Sequence, residues 1–456
     1  MTDPVAQTIA RHIVDCRFED LPPEAVHATK EHILHTLATV LAGSGAAGCT
    51  ELLEYARSVG GRGESTVLVS GTRLPAAYAA MVNSAMGHAQ EFDNNDDRIA
   101  YKSSVCAVPA GLAMAEQVGG VSGKAFLTAV CIGIDVGIRV GLGIEPQPAH
   151  PVPSMLGPFA AAAAAAKLLI TDPETVESAL GIALCGVSDT GLSASGRSHT
   201  KRLLAGMATY NGVFAAQLAG HGFLAQQDVF QGPRGYYKVA FGREGNPEAI
   251  TKDLGKVFEV VNVGPKGYPS CRYTHPALDA TLALVRRYDV RPDAIAGVHV
   301  TLSRRDYDAV WGGHPPATDV DAQFSIQYAV AAALSHGQFF LEETHESSWR
   351  DPAILQLQQR ITAEVDPGYD KWFLEVKPAQ VTITLPDGRQ VAQRIDYAKG
   401  HPLNPVPWAE IQENFMRCGR WASPPLSDSA LLRARDLVEH LEDAPDLRER
   451  ARLLRS

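Results

Sequence analysis

Apolar residues recur at three- and four-residue spacing through the first 240 positions, so this part of the chain is expected to be helical. Pro22 and Pro23 open one helix and Asp172 another, while LLAGMATYNGVFAAQLAGHG carries a third that closes at Gly222. The most apolar stretch, GPFAAAAAAAKLLI at 157–170, is interrupted by Lys167 and falls short of the ~20 residues a membrane span needs. It reads as a buried helix whose alanines let neighbouring helices come close. Period-two alternation comes later, in IAGVHVTLS at 295–303 and AQVTITLPDGRQVAQRI at 379–395, where Pro-Asp-Gly makes a hairpin turn. DAQFSIQYAVAAALSHG, 321–337, lies between them as one packed helix, and from about Pro405 the chain is helical and charged again. The expected fold is mainly α, with an α+β module late in the chain.

Composition narrows this picture. At 456 residues the chain exceeds one simple core and fits two domains. Hydrophobic residues at 45% and charged ones at 20% describe an ordinary globular protein. A net charge of -10 argues against a nucleic-acid partner, and any anionic ligand needs a locally basic pocket. The seven cysteines are scattered and never spaced as CxxC, which fits free thiols in a reducing cytoplasm. The N-terminal residues lack the basic head and apolar run of a signal peptide, and nothing predicts a membrane partner. GxGxxG after a strand, GxxxxGK[ST], HExxH and zinc-type Cys/His spacing are all missing, so the chemistry is expected from side chains, with no cofactor and no metal.

The sharpest chemical signal is NSAMGHAQEFDNNDDRIAYKSSVCAVPAGLAMAE, 83–116, which crowds three aspartates, an arginine and a lysine between two apolar helices. Charges are avoided there unless they pair or work. Asp96, Asp97 and Arg98 read as a solvated, self-pairing turn, leaving Asp93 and Lys102 as site candidates. His88 and Asn83 read as local hydrogen-bonding groups that hold the loop's shape. Lys201 and Arg202 stand at the start of a helix, where cations and backbone N–H groups can hold a carboxylate, or can be two solvated charges. GPKGYPSCRYTHPALDA, 264–280, presents Lys266, Tyr268, Cys271, Arg272 and His275 in a stiff Gly/Pro loop ahead of a helix. Cys271 has no sequence-evident base and reads as a small buried hydrophobe. His150 lies in a Pro-rich stretch and by itself reads as structural; Ser325 either touches the site or caps local packing.

These segments together resemble the MmgE/PrpD family, whose members include 2-methylcitrate dehydratase, cis-aconitate decarboxylase and iminodisuccinate epimerase. The resemblance rests on NSAMGHAQEFDNN, HTKRLLAGMATYNGVFAAQLAGHGF, PKGYPSCRYTHPALDA and DAQFSIQYAVAAAL, matched in order over nearly the whole chain. It implies an all-helical domain from 1–265 and 400–456, an α+β domain at 266–399, a homodimer, and a metal-free active site between the domains. Asp93, Lys201 and Lys266 match the family's active-site positions. Lys102 stands where many relatives carry histidine, the family's Phe-Asp-Asp becomes Phe92-Asp93-Asn94, and His150 fits only with a one-residue shift.

The shared chemistry removes a proton beside a carboxylate and creates an enolate-like dianion, which needs a base and fixed positive charge. Lys201, Lys266 and Arg272 would supply that charge, with Tyr268, His150 and Ser325 as further substrate contacts. Lys102 as base requires a large downward shift from ~10.4; Lys102 facing His275 or Tyr268 would make the two-base pair of an epimerase. The family's commonest role ranks a lyase of the 2-methylcitrate dehydratase type first. A dicarboxylate epimerase and a catalytically silent carboxylate-binding scaffold are the alternatives.

Overall fold

Proline at the first helical position and an acidic cap start helices where the sequence predicts them. Pro22 caps the helix Pro23–Gly43, and the Asp172 side chain accepts from Thr175 N ahead of Pro173–Leu184. The computed structural model describes residues 4–144, 153–188, 198–227, 229–372, 376–448 and 454. Most described residues are helical and the strands are few, so the expected mainly-α fold with a smaller α+β part is what forms.

Helix Pro153–Leu169 is buried on every side along its alanine run and packs against Gly123–Leu142 and Thr200–Gly220. Small residues set that spacing: a Cβ on Gly212 would lie 2.6 Å from Ala162 N. Gly123–Leu142, rather than the alanine helix, is long and apolar enough to cross a membrane, yet 89% of its 18-residue window is buried in the protein. It also carries Arg139, which pairs with Asp135 and donates to the carbonyls of Ile250, Lys252 and Val257. These bonds compensate two buried charges and tie down the segment before residue 260.

Apolar side chains form two cores. The first gathers residues from Val5 to Val263 and from Val406 to Leu454, together with Phe340 and Leu341; the second runs from Tyr268 to Ile395. A four-stranded sheet supports the second, in the order Ile361–Val365, Gly297–Leu302, Ala379–Thr384, Gln390–Ile395. The last two form the predicted hairpin, with Gly388 at φ +84° in its turn. Ile361–Val365, which carried no sequence signal, pairs in parallel with Gly297–Leu302. The single helix expected at 321–337 is broken at Ser325, which is extended and caps Ile326–His336 by accepting from Tyr328 N.

The chain passes between cores at 264–266 and returns near 400, and there the two backbones touch. A Cβ on Gly264 would fall 1.4 Å from Gly400 O, so only glycine fits. Gly264 also exchanges two backbone hydrogen bonds with Asn95. The acidic loop is thereby fastened to the start of the Lys266 loop.

Candidate active site

Helix Ala76–His88 ends, and Ser104–Val118 begins, on either side of the loop the sequence singled out. The loop is not a solvated turn. Asp96 and Asp97 are 0% and 5% exposed. Asp96 pairs with Arg98, which also reaches Glu259, while Asp97 is gripped by Arg272 at 2.6 Å and by Lys377 at 3.0 Å. Burial favours the protonated acid, but Arg272 and Lys377 outweigh it and hold the Asp97 carboxyl far below its ordinary range.

The centre of the constellation is Glu91, a residue the sequence reading passed over. Its backbone is in the left-handed region at φ +51°, rare for a residue with a Cβ. Lys266 Nζ donates to Glu91 O at 2.8 Å, to Glu91 Oε1 at 2.8 Å and to Ser270 O at 3.1 Å. Lys201 ion-pairs with Oε2, and Lys102 Nζ stands 4.0 Å from Oε1. Burial would raise the Glu91 pKa, but Lys201, Lys266 and Lys102 drive it well below the ordinary carboxylate value.

The lysines divide by function. Lys266 spends all three N–H donors on protein oxygens, so it is a fixed cation that positions Glu91. Among the described residues Lys102 has no hydrogen-bond acceptor as close, and its side chain is 17% exposed. Burial pushes its ammonium down, but Glu91 and then Asp93 more than offset this, and its pKa lies above the free-lysine value. The base role requires the opposite shift; Lys102 is held as an ammonium, a form suited to giving a proton or meeting an anion. Beside it, His88 Nδ1 meets Asp93 Oδ2 at 2.7 Å. Burial first and Lys201 second lower the His88 pKa, keeping the imidazole neutral near pH 7.

The remaining predicted residues fall elsewhere. Arg272, expected on a substrate carboxylate, gives Nε and Nη2 to Asp97 and Nη1 to Lys399 O. His275 Nε2 meets Ser270 O at 3.2 Å, and burial, then Arg272 and Lys266, hold its pKa well below 6.5. Tyr268 donates to Asp279 at 2.6 Å. Arg272, His275 and Tyr268 thus build the wall behind Lys266, and Ser325 caps a helix. Asn83 bonds to Thr66 and Leu68 instead of the acidic loop. Cys271 is a buried thiol whose pKa burial raises to about 11. His150 lies outside the described residues.

Asp93 Oδ1, both polar side-chain atoms of Asn94, and Ser103 Oγ are buried without a hydrogen-bond partner among the described residues. Buried polar atoms are ordinarily satisfied, so these mark a place for a polar ligand or water. His88, Glu91 and Asp93 also offer three ligand atoms within 4.8 Å of one another. A divalent cation fits poorly there, since Glu91 already faces three ammonium groups and Asp93 already holds His88.

The fold and site define a mainly helical protein with a second α+β core and a buried lysine–carboxylate cluster where segments from both meet. The chain belongs to the MmgE/PrpD family: the family's N-terminal domain matches residues 7–248 and its C-terminal domain 268–440. It is 27% identical to a cis-aconitate decarboxylase-like protein, oryM, of Aspergillus oryzae, over 98% of this chain and 96% of that one. It is likewise 27% identical to cis-aconitate decarboxylase of Mus musculus, over 100% and 94%, and to that of Homo sapiens, over 98% and 93%.

Proposed function

We propose that this protein is a lyase acting on a small polycarboxylate, and that the bond it breaks joins carbon to a carboxyl group. The observation that carries this reading is the Glu91 carboxylate enclosed by Lys102, Lys201 and Lys266, an arrangement suited to anionic groups out of bulk water. The cis-aconitate decarboxylases among its relatives support loss of CO2 ahead of loss of water. So does the upward shift of Lys102, because decarboxylation calls for a proton donor. As the C–C bond breaks and CO2 leaves, the electron pair passes into the adjoining unsaturated acid as an enolate-type anion. Lys201 and Lys102 stabilise that charge, the Lys102 ammonium protonates carbon, and water restores the lysine proton.

One observation favours a second reading, loss of water as in 2-methylcitrate dehydratase. With Nδ1–H given to Asp93, neutral His88 keeps a lone pair on Nε2 that can accept a C–H proton while Lys102 protonates the leaving hydroxyl. The two-base pair of an epimerase finds no such support, since Tyr268 is committed to Asp279.

Proton NMR in deuterated water tests these readings, with cis-aconitate, citrate, 2-methylcitrate and glutaconate as substrates. The expected result is CO2 release with one deuteron placed on carbon. An alkene formed from a hydroxy acid without CO2 would establish the hydro-lyase instead. Silence across the set would sink the lyase reading.

The proposal treats 1–265 with 400–456 as one unit and 266–399 as the other, working in the cytoplasm as a homodimer. Leu203, Met207 and Phe214 are exposed on one side of helix Thr200–Gly220, where Tyr210 stacks on Phe214, and this is the face offered for the second copy. Light scattering should return twice the 48.8 kDa chain mass; a monomer at micromolar concentration would overturn the dimer.

A further inference from the structure

Cys271 is a nucleophilic side chain beside the lysine–carboxylate cluster to which the proposed reaction gives no task. Two bridges hold its backbone against the acidic loop. Lys266 Nζ, which donates to Glu91 Oε1, also donates at 3.1 Å to the carbonyl of Ser270, the residue before Cys271. On the other side the Cys271 N–H donates to Gln323 O at 2.9 Å, and Gln323 Nε2 donates at 3.3 Å to Gln90 Oε1, on the residue before Glu91. The charges of the cluster act on the thiol accordingly. Burial and then Glu91 raise its pKa, whereas the Tyr273 N–H, Lys266 and Lys102 lower it. Two ammonium groups thus bear on this sulfur, while each of the other buried thiols feels one cation or none. The same cluster leaves a place for a ligand. A carboxylate oxygen of Asp93 lies within 4.8 Å of ligand atoms of His88 and Glu91, and Asp93 Oδ1 is buried with no hydrogen-bond partner among the described residues.

We infer that the Cys271 thiol forms an uncharged part of the anion site's wall, and that a small carboxylate carrying an electrophilic carbon, such as an α-halo acid, is captured there as a thioether. The inference rests on the anion site of the proposed function. The lysine ammonium groups draw in the carboxylate and hold it, which raises the local concentration of the electrophilic carbon at the sulfur far above that in solution. In the capture step the thiol gives its proton to solvent base, the sulfur electron pair forms the S–C bond, and halide leaves with the electrons of its bond to carbon. The thiolate is the nucleophile, and a thiol pushed up to about 11 is mostly protonated at neutral pH. Capture is therefore slow at pH 7 and quickens as the pH rises.

The test is alkylation of the wild-type protein at pH 9 with iodoacetate and, separately, with iodoacetamide, reagents of nearly equal size that differ in charge. Peptide mass spectrometry follows each cysteine, and exposed Cys185 serves as the internal reference. The ratio of iodoacetate to iodoacetamide rate at Cys271 is expected to be at least tenfold that at Cys185. Saturating glutarate should slow iodoacetate at Cys271 by tenfold or more and leave Cys185 unchanged. A ratio less than tenfold that at Cys185 would overturn the inference, and so would a Cys271 still unmodified after overnight reaction. If calorimetry shows glutarate bound while Cys271 goes unprotected, the anion site stands and the inference falls. If the wild type binds no glutarate, both fall.

Discussion

Alanine at Lys266 is expected to lower kcat/KM by about 10²–10³-fold, the usual scale for removing one fixed group that stabilises charge in a buried site. It is also expected to cost about 3–5 kcal/mol of stability, because one partner of a buried ion pair is lost while the other remains. Lys266 holds the Glu91 carbonyl, the Glu91 carboxylate and Ser270 O at once, so its loss frees the strained turn as well as the charge. Steady-state kinetics at saturating substrate, beside urea melts, would separate the two effects. The loss should appear in kcat as well as KM, since Lys266 acts through Glu91 and Lys102. Turnover within threefold of wild type in a folded Lys266→Ala variant would remove this loop from the active site.

The second large effect is expected at Asp97→Asn. Arg272 and Lys377 would lose a buried, fully paired carboxylate, and about 3–5 kcal/mol of stability should go with it. The pair spans the two cores, since Asp97 lies on the acidic loop of the first and its cations belong to segments of the second. The pH dependence follows from the direction of the shift. The Asp97 pKa is depressed in the folded protein, so its stabilisation is fully present above the unfolded value near ~3.9 and fades as pH falls below it. Urea unfolding at pH 7 and pH 3 should show a wild type that weakens in acid, and an asparagine variant already weak at pH 7 with a shallower acid loss. Equal midpoints at pH 7 would mean that Asp97 does not join the cores.

Local pattern accounts for much of the architecture. Caps and prolines placed the helices at Pro23 and Pro173, and alternation around Pro-Asp-Gly placed the hairpin at 379–395, because these signals act over a few residues. The break at Ser325 was hidden by an apolar run that continues across it. The strand Ile361–Val365 was missed because its pairing partner lies some sixty residues away and its own alternation is short. Within the site, Lys102, Lys201 and Lys266 were legible as cations in loops or at a helix start, and the structure gathers all three on one carboxylate. That carboxylate had a signal of its own, as a fourth acidic residue next to Phe92-Asp93 between two buried helices. Lys377 had none, standing simply before a strand.

The sequence by itself determined that this chain is mainly helical and that it resembles the MmgE/PrpD family, and it singled out the charged segments 83–116 and 264–280 as the place to expect chemistry, since these follow from periodicity, caps and ordered motifs along the chain. The tertiary structure alone decided which charges meet. Arg272 turned from substrate to Asp97, Lys102 is held as an ammonium where a base must be neutral, and Glu91 became the hub, because an ionisable group's state depends on burial and on neighbours 175 residues away as much as on its own chemistry.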